Sequence, residues 1–384
     1  MYNSISSLLG SLFRTAGISA VVFLLSVSSG FGQQGKKVVI GYVGGYGGEI
    51  NHEVIDASKL THINYAFVDV KGNRAWLHNE KTDTINFRKL NLLKKENPSL
   101  KILISLGGWS WSENFSDAVL SDTSRAAFAA SAVEIIARHK LDGVDIDWEY
   151  PAMPGEEGNI YRPEDKENFT LMFKVLREKL DSLQNLTGDR YLLTTAVGGS
   201  ASFVRNTNMD EAHQYLDYVN IMSYDYMGGP KAMHHTNLHN SSKAPGHSTE
   251  ASVDRFIAAG VPASKIVVGI AFYGRAYIVE RRRRKGLNQQ IVSTAKSGGY
   301  SFIKDSLINK DGYKLHWDRQ AKAPFLFNRK KKQFITFDDE RSVAYKCKFV
   351  NDRGLAGVMF WQYFSDPKSY LIHAISQHST STGN

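Results

Sequence analysis

The stretch LDGVDIDWEYP, residues 141–151, alternates acidic with large apolar side chains. In a β-strand, side chains two positions apart share one face and lie about 6.6–6.8 Å from each other. A strand here would align Asp145, Asp147 and Glu149 on one face and the apolar residues between them on the other. The stretch therefore predicts a buried strand with a column of three carboxyl groups, the acid column.

Eight runs of β-branched or apolar residues, this one included, recur along the chain. They cover residues 37–43, 61–68, 101–108, 143–150, 191–199, 218–225, 265–274 and 355–363. Helix-like patterns lie in most of the gaps, at residues 86–95, 122–139, 163–183, 249–259 and 338–351. Strands that alternate with helices indicate parallel βαβ units, and eight such units indicate an α/β fold of the (β/α)8 TIM barrel type. The alternative is an open doubly wound sheet, but nothing in the sequence resembles its Gly-rich phosphate turn.

The connection between the seventh and eighth strands is unusually long, at about 80 residues. A barrel helix accounts only for its end. Residues 276–337 are therefore predicted to form a small α+β insertion subdomain between strands 7 and 8 that walls a cleft. Within it, RRRRK at residues 281–285 is expected to be a solvated loop, with an anion-binding or surface-binding patch as the alternative.

In such a barrel the acid column would point inward, toward the C-terminal mouth where active sites of this fold lie. Carboxyl groups this close raise one another's pKa values, which can keep one of them protonated as a general acid. Glu149 is nearest the mouth and is the candidate acid. One alternative is a cation site, although three acids on one straight strand surround an ion poorly. The other is a buried acid cluster that satisfies internal hydrogen bonds. Asp142 has the opposite parity and is expected to accept backbone hydrogen bonds.

The two ends of the chain differ from its middle. Residues 1–32 combine Arg14, a short apolar run and small exit residues, which is typical of a secretory signal peptide; a membrane anchor, the alternative, needs a longer apolar run. Residues 33–376 remain for the barrel and 377–384 for a frayed tail. Cys347 is the only cysteine, so no internal disulfide is expected. A net charge of +9 over 384 residues is too dilute to predict a nucleic-acid partner.

The acid column also resembles a known signature. LDGVDIDWEYP is similar to the DGxDxDxE pattern of glycoside hydrolase family 18, the chitinases, and KILISLGGWS resembles the family's second signature. Shorter motifs match in the family's order at NYAF (64–67), MSYD (222–225), FYGR (272–275) and GVMFW (357–361). The resemblance covers approximately residues 37–371 and implies the insertion after strand seven.

The resemblance implies a mechanism in which the substrate's own 2-acetamido oxygen, and no enzyme carboxylate, attacks the anomeric carbon. Glu149 would protonate the leaving oxygen and then deprotonate the incoming water. Asp147 would orient the acetamide N–H and stabilise the oxazolinium intermediate, while Asp145 would share a proton with Asp147. Tyr224 would hydrogen-bond the acetamide oxygen. The outcome would be retention of configuration, and neither a metal nor a cofactor is implied.

The resemblance also implies substrate-binding residues. Trp361 would floor the subsite of the reacting sugar, with barrel-core packing as the alternative. Trp109 would stack on more distant sugars, with helix packing as the alternative. Further contacts carry over at Asp225, Met222, Tyr273, Arg275 and Gly108. Tyr42 and Phe67 would lie behind the acid column, where a core role fits equally well.

One segment departs from the family pattern. YDYMGGPKAMHH, residues 224–235, has Lys231 where many members have a tryptophan. Tyr226 or Met227 is the candidate replacement. The departure concerns binding of the sugar on the leaving-group side and leaves the acid column untouched.

Together these patterns are interpreted as a secreted chitinase, extracellular or periplasmic, that acts as a monomer without stable membrane insertion. Its partner would be chitin or a chitooligosaccharide, and no nucleic acid. One rival is an endo-β-N-acetylglucosaminidase acting on N-glycans, because it shares the signature. The other is a non-catalytic lectin, which the presence of Glu149 disfavours.

Overall fold

The computed structural model describes residues 37–226, 229–243 and 245–379. The strands are β1 Val38–Gly44, β2 His62–Lys71, β3 Arg74–Trp76, β4 Lys101–Gly107, β5 Gly143–Asp147, β6 Leu192–Gly198, β7 Tyr218–Met222, β8 Ile266–Ala271, β9 Arg275–Val279, β10 Ile291–Ala295, β11 Tyr313–Asp318, β12 Ala323–Asn328, β13 Gln333–Thr336 and β14 Gly357–Trp361. The helices are α1 Glu80–Leu92, α2 Phe115–Ala118, α3 Asp122–His139, α4 Asp165–Thr187, α5 Ala201–Arg205, α6 Met209–Ala212, α7 Thr249–Ala258, α8 Tyr300–Phe302, α9 Glu340–Asp352 and α10 Tyr370–His378.

Eight parallel strands form a closed barrel in the order β1-β2-β4-β5-β6-β7-β8-β14. Closure follows from β1, which pairs in parallel with both β2 and β14. The strand β5 lies between β4 and β6, with Asp145 opposite Ser105 on one side and Thr194 on the other. The predicted (β/α)8 TIM barrel is confirmed, and its eight strands are those expected from the sequence.

The apolar face of β5 points outward, away from the acid column. At most 1% of the surface of Val144, Ile146 or Trp148 is exposed. The Trp148 ring stacks on Phe115 at 5.2 Å and tilts against Phe169 of α4 at 6.2 Å. Burying side chains of this size contributes about 1.5–3 kcal/mol each. This packing fixes the parity of the strand and turns its carboxyl groups toward the barrel axis.

Helix boundaries agree with the expected ones to different degrees. The helix α3 covers the predicted residues 122–139, and Ser121 caps its N-terminus. The helix α1 begins earlier than expected, at Glu80, because the Asn79 side chain accepts the Thr82 N–H and caps it there. The helix α10 continues through His378, so its last two residues fall within the tail expected from residue 377. The helix α10 buries an apolar face that the sequence analysis did not identify.

The long connection after β8 forms a second sheet, with antiparallel strands in the order β10-β9-β13-β12-β11. The short helix α8 continues into a π-helical turn, Ile303–Leu307, between β10 and β11. Side chains of this sheet, including Tyr277, Phe327 and Phe334, form a small apolar cluster with Ala232 and Leu287. The predicted α+β insertion between the seventh and eighth barrel strands is thus confirmed.

Two expectations concern residues that the structure does not describe. The proposed signal peptide, residues 1–32, lies outside the described residues, and so does Met227. Within the described ranges, no helix is both long and apolar enough to cross a membrane.

Candidate active site

Asp145 is the innermost member of the acid column and is fully buried. Its Oδ2 accepts hydrogen bonds from the Tyr42 hydroxyl and the Ser105 hydroxyl, both at 2.8 Å. Its Oδ1 accepts from the Thr194 hydroxyl at 2.5 Å and from the Asn220 amide at 3.2 Å. Burial raises the pKa of Asp145, and these four donors oppose that rise. Four donors occupy the acceptor positions of a carboxylate, so the arrangement suits an ionised Asp145.

Asp147 has a very different environment, although it lies on the same strand face. It is 4% exposed, and its buried Oδ1 has no hydrogen-bond partner among the described residues. Burial raises its pKa well above the usual value, and the charges of Glu149 and Asp145 raise the pKa further. Asp147 thus has a buried oxygen that a ligand could bond. The proton expected between Asp145 and Asp147 stays a prediction.

Glu149 lies two residues beyond the last residue of β5 and lines the cleft. Its backbone is held on both sides: its N–H donates to the Ser112 hydroxyl at 3.0 Å, and its carbonyl accepts from the Asn159 amide at 3.2 Å. A Cβ at Gly155 would lie 2.0 Å from that same carbonyl oxygen, so only glycine fits there. Burial raises the pKa of Glu149 to about 7, and the charge of Asp225 adds to the rise. A carboxyl group with this pKa can donate a proton near neutral pH.

The acid column opens into a cleft of about 1430 Å³. Trp361 lines its floor, where its ring stacks on Phe67 at 5.3 Å and 18° and tilts against Tyr42 at 5.7 Å. Trp109 lies at the rim, 48% exposed, with its ring edge-on to Tyr150 at 6.4 Å. The structure therefore brings these four aromatic residues, Trp361, Phe67, Tyr42 and Trp109, to the cleft.

Asp225 is held by three neighbours. The Arg275 guanidinium donates to both of its oxygens, at 2.7 and 2.6 Å, and the Tyr273 hydroxyl donates at 2.8 Å. His235 Nδ1 lies 3.3 Å from Asp225 Oδ1. Burial alone would raise the pKa of Asp225, but the hydrogen bonds from Arg275 and His235 outweigh it and hold this pKa below its usual range. Tyr273 and Arg275 thus fix a carboxylate that lies in the cleft.

Tyr224 and Met222 also line the cleft. Burial raises the pKa of the Tyr224 hydroxyl well above its usual value, and the charge of Asp147 raises it further. Tyr224 therefore keeps its proton and can donate it to an acceptor in the cleft. The Tyr224 oxygen lies 3.8 Å from Met359 Sδ, a weak contact that a better acceptor can replace.

Gly108 has a different position from the one expected. Gly107, and not Gly108, lines the cleft. Gly108 has φ +78°, and a Cβ there would lie 2.5 Å from the Phe67 ring. Its N–H donates to the Asp147 carbonyl at 2.7 Å. Gly108 thus supports Phe67 and the end of β5 from behind, and a direct contact with substrate stays a prediction.

Lys231, at the position of the expected tryptophan, is exposed and pairs with Gln290 of the insertion instead of lining the cleft. Tyr226 does line the cleft, and its ring stacks on His247 at 5.7 Å and 22°. The aromatic surface on this side is therefore a Tyr–His pair. Tyr226 is expected from the sequence at this position, and His247 is not.

Further lining residues were not identified from the sequence. Tyr46 follows β1 and Trp111 follows β4, so both lie after carboxyl ends of barrel strands. Because active sites of this fold lie at these strand ends, the position of Tyr46 and Trp111 in the sequence could have indicated that they line the cleft. Tyr277 and Lys296 come from the insertion. The sequence does not give the bounds of the insertion strands, so it does not predict which of their side chains face the cleft.

Comparisons with known proteins agree with this geometry. The sequence pattern of glycosyl hydrolases family 18 matches residues 38–366. Chitinase A1 of Niallia circulans is 36% identical, over 87% of this chain and 57% of its own length, so the chain spans little more than half of that relative. The solved structure of a family 18 N-acetylglucosaminidase from Paenibacillus barengoltzii is 40% identical with a TM-score of 0.82, covering 89% of this chain and 99% of its own.

The solved chitinase ChiA74 from Bacillus thuringiensis is 30% identical with a TM-score of 0.83, covering 90% of this chain and 70% of its own. The family pattern and these similarities extend across the barrel, the insertion and the acid column. The chain belongs to glycosyl hydrolases family 18.

Proposed function

We propose that this protein is a chitinase that hydrolyses β-1,4-linked N-acetylglucosamine chains with retention of configuration. The observation that carries the proposal is the contrast within the acid column. Glu149 has a pKa of about 7, and next to it the buried Asp147 Oδ1 has no partner among the described residues. A protonated acid beside an unpaired acceptor is the arrangement that substrate-assisted cleavage requires.

In the proposed reaction, Glu149 donates its proton to the glycosidic oxygen as the bond from that oxygen to the anomeric carbon breaks. The carbonyl oxygen of the sugar's own acetamide forms the new bond to the anomeric carbon and gives an oxazolinium ion. Asp147 passes its proton to Asp145, and the carboxylate that results accepts the acetamide N–H and stabilises the positive charge. Ionised Glu149 then takes a proton from water, the water oxygen bonds to the anomeric carbon, and the acetamide is restored.

Two displacements at one carbon give net retention. Tyr224 would donate a hydrogen bond to the acetamide oxygen, because its raised pKa keeps the hydroxyl protonated. Asp225, held ionised by Arg275, would accept hydrogen bonds from sugar hydroxyl groups. The electrostatic donors and acceptors are in place before the substrate arrives, which is the condition under which they lower the barrier most.

The form of the cleft supports a polymeric substrate. Its volume of about 1430 Å³ exceeds the roughly 300–1000 Å³ of ordinary small-ligand pockets. Trp361 supplies a flat apolar surface for the C–H face of the reacting sugar, and Trp109 offers a second such surface at the rim. Because two separate aromatic surfaces can each stack on a different sugar, the cleft suits a chain of sugars better than a single sugar.

A second candidate is an N-acetylglucosaminidase that removes single sugars from chain ends. Its support is the 40% identity to the solved Paenibacillus barengoltzii enzyme of that name. The chemistry and the acid column would be the same in both, so the difference lies in product length.

We also propose that the protein is exported by residues 1–32 and acts outside the cell as a monomer. N-terminal sequencing of the protein recovered from culture medium, together with light scattering, tests both points. An unprocessed N-terminus on protein retained in cells would contradict export.

The activity is tested by incubating the mature protein with N-acetylglucosamine hexamer, and separately with an N-glycosylated protein, and identifying the products by mass. Dimers and longer oligomers from the hexamer are expected. Monomer released stepwise would favour the N-acetylglucosaminidase. Free N-glycans with an intact hexamer would move the function to the endo-β-N-acetylglucosaminidase, and no product from either substrate would restore the lectin hypothesis.

A further inference from the structure

Two basic runs that are far apart in sequence meet at one end of the insertion sheet. Residues 281–285, RRRRK, follow β9, and residues 329–332, RKKK, form the turn between β12 and β13. The Val279 N–H donates to the Lys332 carbonyl at 2.9 Å, and Lys332 Nζ donates to the Glu280 carbonyl at 3.1 Å. We name these nine residues the basic end.

The first run is held against the sheet and does not extend freely into solvent. Gly286, directly after it, has φ +82°, and a Cβ there would lie 2.9 Å from the Phe327 ring and 3.0 Å from Phe334. Leu287 follows and is buried in the apolar cluster of the insertion. The loop backbone is therefore anchored to the insertion sheet, and the charged side chains extend from it into solvent.

The basic end is exposed and carries few ion pairs. Eight of its nine side chains are exposed, and Lys332 is half-buried. Within the described part of the chain, its ion pairs are Arg281 with Glu280 at 3.8 Å and Lys331 with Asp311 at 2.6 Å. The other cations of both runs have no acidic partner there.

This surface also accounts for the charge of the whole chain. The chain has 47 Lys and Arg against 38 Asp and Glu, a net charge of +9. The basic end holds nine cations, so the rest of the chain is formally neutral. A concentration of charge in two joined turns produces a local field that a dispersed +9 would not.

The basic end is separate from the cleft. The strand β9 begins at Arg275, which binds Asp225 in the cleft, and ends at Val279 beside the basic end. Five strand residues span about 13 Å. Chitin is uncharged, so this positive surface has no electrostatic role in binding the proposed substrate.

We propose that the basic end binds an acidic polysaccharide, a polymer whose carboxylate or sulfate groups pair with its arginines and lysines. Arginine supplies five of the nine cations, and its planar fork suits carboxylate and sulfate oxygens. The two runs contain no aromatic side chain to stack on nucleic-acid bases and no apolar side chain to enter a lipid surface. The choice of a polysaccharide rests on the proposed function, since chitin-containing material is where the enzyme would act.

The test compares two triple variants with the wild-type chain. Arg282→Gln/Arg283→Gln/Lys330→Gln removes three exposed cations without an ion pair from the basic end. Arg88→Gln/Lys174→Gln/Lys179→Gln removes the same charge from exposed positions on α1 and α4 and serves as the matched control. Binding to soluble alginate, a carboxylated polysaccharide, is measured over a series of salt concentrations, and thermal unfolding confirms that both variants are folded.

The wild-type protein and the control variant are expected to bind alginate with an affinity that falls steeply with salt. The basic-end variant should bind about tenfold to a hundredfold more weakly at low salt and show a shallower salt dependence. Equal weakening in both variants would overturn the proposal, because net charge alone would explain it. Absence of alginate binding, or binding only to DNA or to phosphatidylglycerol vesicles, would also overturn it.

Hydrolysis of soluble N-acetylglucosamine hexamer is measured with the same proteins. It should be unchanged in both variants, because the substituted side chains lie outside the cleft. Alginate binding without hydrolysis in the wild-type protein would refute the proposed function while leaving the binding surface in place. Hydrolysis without alginate binding would refute the binding surface and leave the proposed function in place.

Discussion

At the scale of single residues, three carboxyl groups on one strand face have three different environments. Asp145 accepts four hydrogen bonds, Asp147 has a buried oxygen without a partner among the described residues, and Glu149 lies at the cleft. Their shared face followed from alternation in the sequence. The donors to Asp145 could not be predicted, because Ser105 and Thr194 come from neighbouring strands whose register the sequence does not specify.

The raised pKa of Glu149 sets the expected pH dependence of hydrolysis. The general acid must be protonated in the free enzyme, and burial gives Glu149 a pKa of about 7. We therefore expect kcat/KM to fall about tenfold for each pH unit above 7. The measurement is a pH profile with a soluble chromogenic chitobioside. A basic limb that remains flat to pH 9 would contradict the assignment of the acid.

The same pKa makes a prediction about folding stability. Glu149 has an ordinary pKa of 4.5 and a folded value of about 7, so its favourable protonation stabilises the folded state below pH 4.5 and is lost as the pH rises to 7. Glu149→Gln has no such loss. Its stability relative to the wild-type protein should rise by about 3 kcal/mol between these pH values.

Urea denaturation at pH 4.5 and pH 8 measures this difference, with the exposed Glu157→Gln as the control. The control should show no comparable change between the two pH values. If the difference in unfolding free energy between Glu149→Gln and the wild-type protein is the same at both pH values, folding does not raise the pKa of Glu149.

Tyr42 is predicted to act on the reaction through Asp145. Tyr42→Phe removes one of the four donors, which raises the pKa of Asp145 because its carboxylate loses a hydrogen bond. The acidic limb of the pH profile, which reports ionisation of the acid column, should therefore move to higher pH.

Tyr65→Phe is the matched control for this prediction. It also removes a buried tyrosine–carboxylate bond, from Tyr65 to Asp83 at 2.6 Å, but away from the acid column. Its pH profile should match that of the wild-type protein. The same shift in both variants would indicate a general effect on folding instead of a role for Tyr42 in positioning charge.

At the scale of elements, a buried ion pair joins the end of the insertion to the barrel helix α9. Lys346 Nζ donates to Asp338 Oδ2 at 2.6 Å and to the Thr236 hydroxyl at 2.7 Å, and both charged side chains are fully buried. Asp338 Oδ2 also accepts the Ala271 N–H at 3.1 Å, at the end of β8. One carboxyl group thus connects β8, α9 and the segment after β7.

Lys346→Met is expected to destabilise the protein by about 3–5 kcal/mol, because it leaves the Asp338 charge buried without its cation. The double variant Lys346→Met/Asp338→Asn removes both charges and should recover part of that loss. Chemical denaturation of the two variants and the wild-type protein provides the comparison. A single variant as stable as the wild-type protein would show that the pair is not buried in solution.

At the same scale, the strands were easier to predict than the insertion. All eight barrel strands followed from apolar runs, because buried parallel strands are nearly continuous in their hydrophobicity. The insertion sheet is antiparallel and partly exposed, so its strands carry a weaker pattern, and the sequence predicts an α+β insertion without the bounds of its strands. The partner of Tyr226, His247, could not be predicted for a related reason, since their stacking depends on how a loop folds back over the barrel.

At the scale of the whole molecule, the excess positive charge and the reacting groups lie on different parts of the structure. The cleft holds the acid column and its aromatic walls, whereas the excess positive charge is concentrated at the basic end of the insertion sheet. The barrel positions the reacting groups through paired strands, and the insertion adds a wall to the cleft from β9 and β10. The total charge was known from composition, but its concentration on one surface required the pairing of β9 with β13.

The central claim is that the substrate's own acetamide performs the nucleophilic step while Glu149 supplies the proton. The most direct test incubates the protein with N-acetylglucosamine hexamer and with the matched glucosamine hexamer, which lacks the acetyl groups, and follows both by mass. The account predicts oligomers from the acetylated hexamer, an intact glucosamine hexamer, and no products from either with Glu149→Gln. Cleavage of both hexamers at similar rates would contradict it, because the reaction would then need no acetamide.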